Sequence, residues 1–107
     1  KIAVLGSMPE IGNEINEYHE KIGQYAAQSG IDFLFTYGVV SEYIGIGAIA
    51  NGFPEDKVRH KTPLYRRVMH RELTQLIQPG ATVLVKGASR LNMVETVDFL
   101  CEEYKPV

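Results

Sequence analysis

Short apolar runs alternate with segments whose apolar residues recur every three or four positions, and this alternation repeats four times along the chain. Ile2-Ala3-Val4-Leu5-Gly6 opens it, and an unbroken apolar run stopped by glycine predicts a parallel strand buried on both faces. After the loop Ser7-Met8-Pro9-Glu10-Ile11-Gly12, Asn13 is placed to cap a helix. The stripe of that helix is Ile15, Tyr18, Ile22, Tyr25 and Ala26, and Ser29-Gly30 ends it. Ile31 to Thr36 repeats the strand signature, and Val40 to Ala50 predicts a second helix weakened by Gly45 and Gly47.

Asn51-Gly52-Phe53-Pro54 turns the chain into Lys57-Val58-Arg59-His60, a short strand whose charge suits a sheet edge. Thr62-Pro63 predicts the next helix start, with a stripe of Tyr65, Val68, Met69, Leu73, Leu76 and Ile77 that Pro79-Gly80 stops. Thr82-Val83-Leu84-Val85-Lys86-Gly87 is the clearest strand. Leu91, Val94, Val97, Cys101 and Tyr104 mark a last amphipathic helix.

Four strand-then-helix repeats joined by right-handed crossovers predict an α/β fold, a parallel sheet of about four strands covered by helices on both faces. In such sheets ligands bind where loops leave the carboxyl ends of the strands, here segments 6–13, 36–41, 60–63 and 86–92.

With 107 residues, 45% of them hydrophobic and 22% charged, the chain fits a single domain over 1–107 that needs neither disulfide nor metal to fold. One cysteine and the lack of an apolar leader point to a reducing, cytoplasmic setting, and no run is long enough for a membrane span. A net charge of −2 gives no electrostatic reason to expect nucleic acid. That average hides an asymmetry. Residues 1–56 carry 2 basic and 8 acidic side chains, residues 57–107 carry 9 and 5.

The chain lacks the phosphate-cradling G-x-x-x-x-G-K-[ST] and G-x-G-x-x-G turns. His19, His60 and His70 lie on separate segments without metal-ligand spacing. His19 borders a buried stripe and reads as structural, and Cys101, on an apolar face, reads as a small packing residue. His70 shares a polar face with Arg66, Arg67 and Arg71, and the window 57–71 holds six basic residues and no acid. That pattern fits either a solvated helix face or an anion site. Lys86-Gly87-Ala88-Ser89-Arg90 joins an ammonium, a hydroxyl and a guanidinium to free backbone N–H groups between a strand and a helix, which suits a carboxylate or phosphate. The plainer alternative is that Ser89 caps the helix while Lys86 and Arg90 are solvated. The loop 7–12 is apolar enough to pack on something.

Two segments carry a resemblance. Val4-Leu5-Gly6-Ser7-Met8-Pro9-Glu10-Ile11-Gly12, with Glu17-Tyr18-His19 and Ile22-Gly23 after it, resembles V-L-G-D-M-x-E-L-G…H…G of the C-terminal domain of the MurF family of Mur ligases. Gln78-Pro79-Gly80-Ala81-Thr82-Val83-Leu84-Val85-Lys86-Gly87 is similar to that family's P-G-D-x-V-L-V-K-G, and Met93 fits its ending. The resemblance implies a Rossmann-like domain that lacks the family's opening strand and helix with D-x-Y-N-A-N-P. It also implies an ATP- and Mg-dependent amide ligase of peptidoglycan synthesis, in which the carboxylate of a UDP-N-acetylmuramoyl tripeptide becomes an acyl phosphate and is attacked by the amine of D-Ala-D-Ala. The partners implied are the N-terminal domain and the central, P-loop-bearing ATPase domain of the same polypeptide.

Ser7, Glu10, Lys86, Ser89 and Arg90 become substrate-side candidates by this resemblance. Ser7 stands where the family has Asp, and Lys86-Gly87-Ala88-Ser89-Arg90 stands where it commonly has K-G-S-R-S. The alternative is an independent flavodoxin-like module that holds a small anion or nucleotide at its strand ends.

Overall fold

In a computed structural model, residues 1–8, 14–87 and 91–105 are described. Four parallel strands form the sheet, β1 (Ile2–Gly6), β2 (Phe33–Tyr37), β3 (Val58–Lys61) and β4 (Val83–Lys86), in the order β3-β2-β1-β4. Helices α1 (Ile15–Gln28), α2 (Glu42–Ala50), α3 (Arg66–Leu76) and α4 (Val94–Glu103) fill the crossovers. The α/β class, the parallel sheet and the four repeats are those that the hydrophobic pattern predicts.

Why β1 and β2 read as unbroken apolar runs is visible in their two faces. Ile2, Val4, Phe35 and Tyr37 pack with Met69 and Leu73 of α3 and with Met93, while Ala3 and Leu34 pack with Ala26 of α1 and Ile44 and Ala48 of α2. A central strand must satisfy both layers, so alternation disappears. At one sheet edge β3 is charged, as expected, and each of its residues is half-buried. β4 occupies the other edge. Its residues alternate between half-buried and exposed, Leu84 is 57% exposed, and only the face carrying Val83 and Val85 joins the core.

Gly47 of α2, read with Gly45 as a weakness, is what lets α2 approach α1 at Gly23. A Cβ on Gly23 of α1 would overlap the Ile44 carbonyl, and one on Gly47 of α2 would overlap that of Glu20. The two helices therefore cross backbone against backbone, which only glycine permits.

Helix starts differ from expectation too. Asn13, the expected cap of α1, lies outside the described residues, and Glu14 occupies the cap position without a side-chain bond. Thr62-Pro63 opens a 3₁₀ turn over Pro63–Tyr65, with α3 beginning only at Arg66 and no Thr62 cap bond. Tyr18, Tyr25 and Tyr65, assigned to buried stripes, are 45%, 73% and 55% exposed. Cys101 is exposed rather than packed. It lines an apolar groove of about 600 Å³ with Leu84, Val97 and Tyr104, because β4 has no further strand beside it.

Candidate site at the carboxyl edge of the sheet

Parallel pairing brings all four strand ends to one edge, where β1 lies between β2 and β4. Leu5 is in register with Lys86, and a Cβ on Gly6 would stand 3.2 Å from the Gly87 Cα. Side chains at both positions would push the strand ends apart. Ser7 and Lys86, candidates from loops far apart in sequence, thus share this edge. Glu10, Ser89 and Arg90 lie outside the described residues.

Ser7 is buried at 5% exposure, and its surroundings are those of a structural hydroxyl. Its backbone N–H donates to the Tyr37 carbonyl at 3.0 Å, and its Oγ accepts from the Ser41 N–H at 2.8 Å. Ser41 Oγ in turn donates to the Gly38 carbonyl. Gly38 is held at φ +105, and a Cβ there would stand 2.6 Å from Ser7 Oγ, so this turn needs glycine on two counts. Ser7 thereby fastens the β2–α2 turn to the end of β1.

His19 is fully buried and accounts for the other side of that loop. Nδ1 lies 2.6 Å from the Ile15 carbonyl, which can only accept, and Nε2 accepts from the Met8 N–H at 2.9 Å. These partners require the neutral tautomer with hydrogen on Nδ1. The structural reading of His19 holds, its work being to tie Met8 to α1.

The basic window 57–71 disperses. Lys61 and Arg59 both pair with Glu72, at 2.8 and 3.1 Å, an acid one residue beyond the window. Lys57 lies over the Phe33 ring. Arg66 is 13% exposed and turns inward: Nη1 donates to the Asn92 carbonyl at 2.9 Å and to Thr96 Oγ1 at 3.2 Å, and Nη2 donates to the Leu91 carbonyl. Its Nε lies 3.5 Å from Glu95, and its guanidinium covers the Tyr37 ring at 4.7 Å. Tyr37 Oη, buried beside it, has no hydrogen-bond partner among the described residues.

His70 also departs from expectation. It sits under α4, stacked on Phe99 at 4.4 Å with Nε2 2.8 Å from Thr96 Oγ1, rather than on a solvated face. Burial first, then the neighbouring Arg66 charge, hold its pKa below the ordinary 6.5 against an opposing pull from Glu95. His60, bonded to Thr36 at 2.8 Å, is lowered chiefly by burial too. Nothing in the sequence of α3 alone signals the inward turn of Arg66 and His70, since only the packing of α4 creates it.

Lys86 remains exposed at the end of β4, a cation at the edge where loops from two strands converge. Among the described residues, no three His, Cys, Asp or Glu side chains gather to hold a metal ion. The sequence carries no P-loop motif. No helix is long and apolar enough to cross a membrane among these residues.

No protein-family model matches the chain. Over 102 residues, 95% of its length, it is 29% identical to the UDP-N-acetylmuramoyl-tripeptide–D-alanyl-D-alanine ligase of Bacillus subtilis (strain 168). It is 33% identical over the same share to the ligase of that name from Escherichia coli (strain K12). The chain spans only 22% and 21% of the length of these curated relatives. Two crystal structures of MurF from Acinetobacter baumannii superpose on it with TM-scores of 0.76 and 0.72, each at 22% identity. They cover 94% and 95% of this chain and 22% and 21% of their own. Along nearly all of its length the chain is thus similar in sequence to a segment about a fifth as long as these ligases, and similar in fold to the corresponding part of MurF.

Proposed function

We propose that the chain is the C-terminal, substrate-side domain of an amide ligase that adds D-Ala-D-Ala to a UDP-N-acetylmuramoyl tripeptide in the cytoplasm. The observation that carries this is the similarity to two such ligases over 95% of the chain. Both segments behind the original resemblance also end at one sheet edge, with Gly6 against Gly87. A dipeptide amine brings a carboxylate with it, and Lys86, Ser89 and Arg90 offer that anion charged and hydroxyl partners next to free backbone N–H groups. Glu10 is the acidic candidate in the sequence that follows β1. Ser7 acts by fastening the β2–α2 turn to the end of β1. ATP and Mg belong to another part of the polypeptide, the P-loop-bearing central domain that the family pattern implies.

An independent flavodoxin-like anion module has less support, because three cations of the basic window, Arg59, Lys61 and Arg66, are already paired with Glu72 or Glu95.

The test is phosphate release from ATP in the presence of both peptide substrates. The complete polypeptide that carries this chain is expected to turn over only with D-Ala-D-Ala present. The 107-residue chain alone is expected to show no turnover and nucleotide binding no tighter than about millimolar by calorimetry. Micromolar ATP binding by the chain alone would favour the module.

A further inference from the structure

We propose that the open edge of β4 is a docking surface for a strand–helix unit of the same polypeptide that lies ahead of Lys1, its strand pairing with β4 and its helix covering Leu84. The two edges of this sheet differ in kind. β3 carries Arg59, His60 and Lys61, and charge is one way a free edge is protected against further pairing. β4 reads Val83-Leu84-Val85 with its one charge at Lys86, where the strand ends, and it holds no proline. Its backbone has bonding groups to spare. Ile2 N–H donates to the Thr82 carbonyl at 2.8 Å, so by strand alternation Thr82, Leu84 and Lys86 turn their backbone groups to β1, while Val83 and Val85 turn theirs to the open side. Alongside runs the apolar groove of about 600 Å³, walled by Val97, Leu100 and Cys101 of α4 and by Tyr104 after it.

Leu84 and the hand of the crossovers pick out the occupant. Leu84 is in register with Ala3 and shares its face, the one packed by α1 and α2, yet it is 57% exposed. A strand laid along β4 satisfies the edge and leaves this face bare, so the occupant brings a helix with it. The three crossovers of the chain share one hand. The steps from β1 to β2 and from β2 to β3 run one way across the sheet with α1 and α2 on the Leu84 face, and the return from β3 to β4 carries α3 on the other face. A parallel strand beyond β4 that leads into β1 steps the first way, so its helix falls on the Leu84 face. A strand following α4 would have α4 itself as its crossover, on the opposite face, with Leu84 left uncovered. The matched segment makes up 22% and 21% of the curated relatives, so a polypeptide of that kind has ample chain for such a unit. The added strand ends beside Lys86 and brings one more loop to the carboxyl edge.

Hydrogen exchange in the complete polypeptide reads the edge directly. The amides of Val83 and Val85 are expected to be protected to within about tenfold of Leu84, whereas on a free edge they exchange about 100-fold faster or more. Leu84→Lys places an ammonium under the docked helix and is expected to speed exchange at Val83 and Val85 by about tenfold or more, with β2 unchanged. A benzophenone side chain introduced in place of Tyr104, in the groove, is expected to cross-link on irradiation to residues ahead of Lys1 in the same polypeptide. Fast exchange at Val83 and Val85 in the unmutated polypeptide overturns the pairing. Protection that Leu84→Lys leaves intact overturns the covering helix. Cross-links to a second copy, or to residues after Val107, overturn the assigned occupant. None of these readouts requires turnover, so failure of the ligase reading leaves them standing.

Discussion

At the scale of single residues, buried histidines carry more of this fold than their chemistry suggests. His19 satisfies an acceptor on α1 and a donor on the loop at once, the Ile15 carbonyl and the Met8 N–H. His19→Ala removes both bonds and opens a cavity, so it is expected to cost about 2–4 kcal/mol in urea unfolding. A loss under about 1 kcal/mol would mean that water takes over both bonds. His60 and His70 make stability depend on pH, and the sign follows from burial. In the unfolded chain each has its ordinary pKa of 6.5, and in the folded chain each is lower. Above 6.5 both states are neutral and nothing is lost. As pH falls below 6.5 the unfolded state binds protons first, so stability falls with it. The urea midpoint is expected to be lower at pH 5.5 than at 7.5, and to drop less in a His60→Gln/His70→Phe variant. An equal drop in both proteins would place the dependence elsewhere. Neither role of His70 is legible from its own helix. Spacing puts it beside Arg66 and Arg71 on a polar face, and only the docking of Phe99 and Thr96 from 26 or more residues away turns that face inward.

Elements were legible where burial is local and symmetric, and less so where a neighbour decides. The runs at β1 and β2 predict central strands because both of their faces are covered, and the charges of β3 predict its edge position. β4 has the same apolar run as β1 yet lies at an edge, since hydrophobicity cannot say whether a helix covers the second face. The same limit explains α2. Propensity counts Gly45 and Gly47 against a helix, whereas packing against α1 requires Gly47. Gly23→Ala and Gly47→Ala are therefore expected to destabilise by about 2 kcal/mol or more each, opposite in sign to the gain of about 1 kcal/mol that alanine gives in an unconstrained helix. Together they are expected to cost less than their sum, because one separation of α1 from α2 relieves both overlaps. Strict additivity would show that the helices yield independently at the two crossings.

At the scale of the whole molecule, the sequence asymmetry of charge becomes a question of which cations stay free at the carboxyl edge. The basic second half spends Arg59 and Lys61 on Glu72 and Arg66 on backbone carbonyls and Glu95, while Lys86 stays exposed at the end of β4 and Arg90 follows it in the sequence. The site candidates that sequence could supply were those next to strand ends. What it could not supply is which neighbours are already engaged. A dipeptide carboxylate entering a closing site must give up water, and a guanidinium can return two parallel N–H bonds where an ammonium returns a point charge. Losing that contact corresponds to roughly 2–4 kcal/mol, by analogy with truncated charge pairs in interfaces. In the complete ligase, Arg90→Ala is accordingly expected to lower kcat/KM for D-Ala-D-Ala by about 30- to 1000-fold with little change in the KM for ATP, and Arg90→Lys to recover part of it. Steady-state kinetics with each substrate varied in turn decides among the alternatives. If the ATP KM rises as much as the dipeptide KM, Arg90 orients the whole domain. If neither parameter moves by about threefold, Arg90 is a solvated residue, and the anion falls to Lys86 and the backbone N–H groups beside it.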